Sequence, residues 1–141
     1  YALSESVIER LESVAAKQSV TLHLTGEHAE ILGVEQLLKE MIYNLLDNAI
    51  KYNVPNGSAT LSIHKNGAHA VLSVSDTGIG IPHAHQPRVF ERFYRVDKSR
   101  SKSTGGTGLG LAIVKHIVVQ HEAQIELSSE EGVGTEVTVI F

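Results

Sequence analysis

The stretch Asp76-Thr-Gly-Ile-Gly-Ile-Pro82 joins an acid to two closely spaced glycines. It follows Ala70-Val-Leu-Ser-Val-Ser75, an alternating run that reads as a strand with one buried face. An ionised Asp accepts hydrogen bonds and donates none. Asp76 at a strand end therefore suits a ligand edge that offers an amino group, such as adenine. Gly78 and Gly80 carry no Cβ, so a flat ring can lie against their backbone. The same heptapeptide also describes a strand followed by an ordinary turn.

A second glycine cluster, Gly105-Gly-Thr-Gly-Leu-Gly110, opens into Leu111-Ala-Ile-Val-Lys-His-Ile-Val-Val119. Leu111, Val114, Ile117 and Val118 fall at helical spacing. Glycines at a helix start leave backbone N–H groups facing outward, and the helix dipole adds to their attraction for an anion. This is phosphate-cradle chemistry, although a flexible loop capping a core helix has the same signature. It is not a Walker loop, because no Lys-Ser or Lys-Thr follows the last glycine. Nor is it a dinucleotide fingerprint: the positions that would need a third glycine are Leu111 and His83.

The third candidate is a helix from Glu35 to Tyr52. At about 100° per residue, Glu40, Asn44, Asp47, Asn48 and Lys51 share one arc. Leu38, Met41, Ile42, Leu45, Leu46 and Ala49 take the opposite side. Asn is a weak helix former, so two asparagines one turn apart are poor choices for a plain solvated face. Their amide oxygens are hard, neutral ligands suited to Mg²⁺ and phosphate chemistry, and Lys51 can meet a phosphate as a point charge. A solvated charged face is the competing reading.

The elements that must position these residues follow from period and punctuation. A helix over Ser4 to Gln18, with Ser4 as its cap, precedes a strand, Val20 to Thr25. A short apolar piece, Glu30-Ile-Leu32, leads to the asparagine helix and a turn at Pro55-Asn-Gly57. Ala59 to His64 and Ala68 to Ser75 form a strand pair around Asn66-Gly67. After the first glycine motif come a short helix near Arg88 to Phe93 and a polar stretch, Asp97 to Thr104. That stretch reads either as a lid or as a disordered loop. Ala123 to Ser128 and Thr135 to Phe141 close the chain as strands around Gly132-Val-Gly134. The mix predicts one α/β domain over residues 1–141, a two-layer sandwich with helices on one face of a mixed sheet.

The 141 residues suit one domain, and 42% hydrophobic content is ordinary. A net charge of −4 argues against non-specific nucleic-acid binding. The absence of cysteine excludes disulfides and thiol chemistry. No apolar run approaches the ~18 residues of a membrane span. The first residues, Tyr1-Ala-Leu-Ser, start mid-pattern and read as a fragment of a longer protein.

Taken together, the motifs resemble the ATP-binding catalytic domain of sensor histidine kinases, a member of the GHKL superfamily with the Bergerat-type fold. Glu40 to Tyr52 is similar to the family's asparagine box, and Asp76 to Gly80 to its first glycine box. Phe90-Glu-Arg-Phe-Tyr-Arg95 looks like its phenylalanine box, Gly106 to Gly110 like its second glycine box, and Gly134-Thr135 like a short third one. Order and spacing match over nearly the whole chain. The wording of Phe93 to Asp97 with Gly105 to Gly108 leans toward phosphate-regulon and cell-wall sensor kinases.

The resemblance implies ATP and Mg²⁺ as ligands. Asn44 would ligate the metal, and Asn48 and Lys51 would contact phosphates or the metal's water shell. Tyr52 would pack near adenine and ribose. Asp76 would take the adenine amino group, with Gly78 and Gly80 lining the base and Thr135 supporting recognition through a water. Phe90 and Phe93 would anchor a lid, and Arg95 would reach the terminal phosphate. Gly106, Thr107, Gly108, Leu109 and Gly110 would cradle the phosphates. The implied reaction is phosphoryl transfer to a histidine on a separate dimerisation domain of the same protein, and onward to a response regulator. The implied location is cytoplasmic, in a cell-membrane protein but without direct membrane contact by these residues.

Two rivals stay open. Gyrase-, mismatch-repair- or heat-shock-type ATP hydrolases use a Glu one turn before the first Asn, and Glu40 holds that position. A module that binds without chemistry is the other. The chain departs from the family pattern at Gly33-Val34, where an Asp is usual, and at Glu122-Ala123, where a Gly-Gly pair is common. The first should affect a pocket edge or a helix cap, the second only a turn. None of the eight histidines has the acceptor setting, and surface roles are expected for all.

Overall fold

The asparagine-bearing segment forms helix α2, Glu35–Lys51. Its apolar stripe, Leu38, Met41, Ile42, Leu45, Leu46, Ala49 and Ile50, is buried. Complete burial of Met41, Leu46 and Ile50 contributes roughly 1.5–3 kcal/mol each. That outweighs the weak helix propensity of Asn44 and Asn48, at most ~0.7 kcal/mol apiece. Glu35 in the first turn and Lys51 in the last suit the helix dipole. The computed structural model describes residues 1–96 and 108–141.

Before α2 come helix α1, Ala2–Lys17, and strand β1, Thr21–Gly26. Ser4 is not a cap: the helix begins two residues earlier, and Ser4 lies inside it, buried with Val7, Ile8, Leu11 and Ala15. Residues 30–32 form no strand, and Leu32 is fully exposed. After α2 come β2, Ser58–Asn66, and β3, His69–Asp76. Asn66 pairs with His69, so the hairpin turn is Gly67-Ala68, one residue later than expected. Gly67 supplies the positive φ of 61° that the tight turn needs. A 3-10 helix, His83–Arg88, precedes the expected Arg88 to Phe93 helix and replaces it. Helix α3, Gly110–Gln120, and strands β4, Gln124–Glu130, and β5, Gly134–Ile140, complete the order.

The sheet runs β1-β2-β3-β5-β4. β1 and β2 are parallel, joined through α2, and every other pairing is antiparallel. The expected mixed sheet is thus present. Alternation sorts its faces: Ala59, Leu61 and Ile63 of β2 are buried. They join Leu72, Val74, Val137 and Val139 in one core with the apolar stripes of α1, α2 and α3. Serines and threonines take the other side, where Ser73 Oγ and Thr138 Oγ1 meet at 3.2 Å.

Two joints fix the helices that carry the polar arc. Buried Asn53, just past α2, donates from Nδ2 to the carbonyls of Ala49 and Ser58 at 3.0 and 2.9 Å. This locks the end of α2 onto the start of β2. At the other end Val34 caps α2 without a side-chain bond, and its N–H donates to His121 Nε2 at 3.1 Å. His121 Nδ1 in turn pairs with the Ile117 carbonyl at 2.8 Å. The two departures from the family pattern therefore meet in space, where an imidazole ties the start of α2 to the end of α3. His121 is a structural residue rather than a surface one. His69 similarly bonds the Phe141 carbonyl at 2.7 Å.

Candidate functional site

A cavity of about 330 Å³ opens where the polar arc of α2, the end of β3, the start of β5 and the start of α3 converge. That volume lies at the lower end of the range for small-molecule pockets. Its apolar wall is Leu45, Val74, Ile79, Leu127 and Val137, and its polar groups come from the arc and the strand ends.

Asp76 stands at the end of β3, opposite Thr135 of β5. Its Oδ1 accepts the Gly78 N–H at 2.8 Å and the Thr135 N–H at 3.3 Å. Oδ2 has no hydrogen-bond donor among the described residues, so it is free to accept from a ligand. Burial pushes the Asp76 carboxyl above its usual range, and the two backbone donors pull the other way without cancelling it. The register demands small residues beside it. A Cβ on Gly134 would collide with the Asp76 carbonyl, and one on Gly80 with the Glu130 carbonyl, at φ of 151° and 71°.

On α2, Asn44 Nδ2 donates to the Glu40 carbonyl at 2.8 Å, which leaves Asn44 Oδ1 as the outward atom. Gly110 opens α3 beside both asparagines: a Cβ there would meet Asn44 Oδ1 at 3.4 Å and both side-chain heteroatoms of Asn48 at 3.5 Å, in ordinary contact. The first turn of α3, whose N–H groups have no carbonyl partner within the helix, thus faces both asparagines, an arrangement suited to an anion. Lys51 is held by Asp47 at 2.9 Å, both partly buried on the cavity wall. No group of three or more His, Cys, Asp or Glu is placed to hold a metal among the described residues. The donor set nevertheless fits Mg²⁺, which takes one or two protein oxygens and fills its shell with water and phosphate. Asn44 Oδ1 is such an oxygen.

Of the residues expected at a site, Asn44, Asn48, Lys51, Tyr52, Asp76, Gly80, Arg95, Gly108, Gly110 and Thr135 line this cavity. Gly78 is set behind it, with its Cα side against the Tyr52 carbonyl and Asp76. Phe90 is half-buried, Phe93 is exposed, and neither lines the cavity. Phe93 instead donates its N–H to the Gly108 carbonyl at 2.8 Å, tying the phenylalanine motif to the second glycine motif. Leu109 also stays off the wall. Glu40 is exposed and outside the lining. Gly106, Thr107 and the stretch Asp97 to Thr104 lie outside the described residues.

Sequence reasoning missed several wall residues. Asp47 was on the polar arc, and its i,i+4 spacing to Lys51 was a readable signal. Tyr94, between Phe93 and Arg95 in the phenylalanine motif, lines the cavity, held by a hydrogen bond to His85 and by Arg88 over its ring at 4.5 Å. Ile79, Ile81 and Pro82 sit within the first glycine motif and supply wall. Glu131 arrives from the β4–β5 turn with no signal in its local sequence.

A family model described as "Histidine kinase-, DNA gyrase B-, and HSP90-like ATPase" matches residues 33–141. The chain is 52% identical over 110 residues to the sensor-like histidine kinase SenX3 of Mycolicibacterium smegmatis, covering 77% of this chain and 28% of that protein. It is 43% identical over 143 residues to the phosphate regulon sensor protein PhoR of Pseudomonas aeruginosa, covering 99% of this chain and 32% of that protein. Among solved structures, the mycobacterial sensor histidine kinase MprB matches with a TM-score of 0.88 at 28% identity, covering 99% of this chain and 93% of that one. The chain spans about a third of the length of these curated relatives.

Proposed function

We propose a function from a plain premise: the chain belongs to the histidine kinase-, DNA gyrase B- and HSP90-like ATPase family. Residues 1–141 are read as a single domain, the ATP-binding catalytic domain of a sensor histidine kinase, working in two-component signalling. It binds Mg–ATP and presents the terminal phosphoryl group to a histidine on a dimerisation domain of the same protein. A response regulator then receives the phosphate. In the whole protein this domain is cytoplasmic and linked to a membrane-anchored sensor. No helix among the described residues is long and apolar enough to cross a membrane.

The observation that carries this reading is the pairing of Asp76 Oδ2, without a donor among the described residues, at one end of the cavity with two asparagines facing the α3 N-terminus at the other. One end recognises an amino group and the other an anion, which is the polarity of a nucleotide. Tyr52 and the apolar wall flank the base. Asn48, Lys51, Gly108 and Gly110 meet the phosphates, and Gly106, Thr107 and Leu109 of the same motif share that role. Phe90 and Phe93 anchor the cover, and Arg95 neutralises the terminal phosphate. Mg²⁺, when bound through Asn44, supplies charge neutralisation.

In the transfer step the acceptor imidazole nitrogen forms a bond to the terminal phosphorus. The bond from that phosphorus to the bridging oxygen breaks, and ADP leaves with the electron pair. The chain contributes position and charge rather than covalent chemistry. Glu40 stands outside the cavity lining, which suits a rim residue better than a water activator and disfavours the hydrolase reading.

Titration with ATP, with and without Mg²⁺, tests the reading. The parent should bind ATP more tightly with the metal, and Asn44→Ala should lose that enhancement while keeping its fold. Equal magnesium enhancement in the variant would remove Asn44 as the ligand.

A further inference from the structure

We propose that Ser129 is a positioning residue that fixes Thr135 as a hydrogen-bond acceptor toward the cavity, so that the site selects a 6-amino over a 6-oxo purine. The inference rests on the nucleotide reading above.

Thr135 lines the cavity and Ser129, one strand away in β4, does not. Ser129 Oγ has three partners. It accepts the Ile81 N–H at 2.8 Å, donates to the Gly134 carbonyl at 3.0 Å and meets Thr135 Oγ1 at 2.8 Å. A serine hydroxyl holds one proton and two lone pairs. The Gly134 carbonyl cannot donate, so that contact uses the serine proton. The Ile81 N–H occupies one lone pair. Only an acceptor site is left for Thr135, whose hydroxyl proton must therefore point at Ser129. Thr135 Oγ1 then has lone pairs alone to present elsewhere.

Asp76 completes the pattern. It pairs with Thr135 across the β3–β5 register, and its Oδ2 has no donor among the described residues. Two acceptors thus stand side by side. An exocyclic amino group brings two N–H donors to them, whereas a 6-oxo group sets oxygen against oxygen. Without Ser129 the Thr135 hydroxyl is free to rotate and donate, which would accommodate the 6-oxo group. The serine's placement does not depend on its hydroxyl alone. Gln86 Nε2 donates to both the Ile81 and Ser129 carbonyls at 3.0 Å, so the loop and β4 stay joined when the hydroxyl is removed.

The test is calorimetric titration of the chain with Mg–ADP and Mg–IDP. The parent should prefer ADP. In Ser129→Ala the ADP-over-IDP preference should fall about 5- to 20-fold, with IDP binding more tightly than to the parent. Ser129→Thr, which keeps the oxygen, should restore the preference. An unchanged preference in folded Ser129→Ala, or equal loss of both nucleotides, would overturn the proposal. If that variant does not fold, Ser129→Cys, a weak acceptor of similar shape, is judged by the same criteria. Failure of the parent to bind ADP at all would instead overturn the nucleotide reading beneath it.

Discussion

Asp76 is where folding and ligand recognition pull against each other. Its carboxyl is raised above the ordinary value because burial disfavours the charge more than two backbone N–H groups favour it. The fold therefore prefers the protonated acid. The stability this contributes is fully present below the unfolded pKa and is lost as pH rises through the folded one. A ligand amino group needs the ionised form, so binding should strengthen across that same window. Asp76→Asn separates the two effects. The amide oxygen keeps the Gly78 and Thr135 N–H bonds, and the amide nitrogen replaces Oδ2. Nucleotide-free, the variant's urea midpoint should gain on the parent's as pH rises from the ordinary carboxylate range through the raised Asp76 value. ADP affinity should fall at least ~10-fold, about 1.4 kcal/mol. A constant stability difference across that range would remove the buried-charge account, and unchanged titration would remove the recognition role.

At the scale of elements, the helix that carries the asparagines was legible because its apolar stripe and polar arc both keep the 3.6-residue period. The β2–β3 hairpin and the two closing strands were legible from alternation and glycine punctuation. Ends were not. Ser4 resembles a cap locally, but its burial beside Leu11 and Ala15 places it inside α1, a tertiary fact. The 3-10 helix was missed because Pro87 sits inside it, where a proline usually argues against a helix. Glu122 was expected to alter only a turn, and it takes a φ of 53° just past α3. Glycine occupies that conformation without the Cβ penalty of roughly 1–2 kcal/mol. Glu122→Gly should therefore stabilise the fold by about 0.5–1 kcal/mol after the added unfolded-state entropy is subtracted, read as a higher urea midpoint with an unchanged slope. A lower midpoint would mean that Glu122 makes a contact worth more than its strain.

For the whole molecule, the candidate site was legible wherever one motif carried its own chemistry: Asp76 with its glycines, the two asparagines, and the glycines that open α3. It was not legible where wall residues arrive through packing. Glu131 reaches the cavity from the β4–β5 turn, which packs against Gly80. Tyr94, rather than the phenylalanines beside it, lines the cavity because His85 and Arg88 hold its ring there. The Ser129 relay needs β4 and β5 side by side, which no local pattern announces. The central claim is that this assembly positions ATP as a phosphoryl donor for another domain. The direct measurement uses ATP labelled at its terminal phosphate, with Mg²⁺, supplied to the chain alone and with the dimerisation and phosphoacceptor domain of the same protein. The account predicts no label on the chain alone, little free phosphate, and an acid-labile, base-stable label on the added domain. Label on a histidine of this chain, or rapid phosphate release that Glu40→Gln stops, would contradict it.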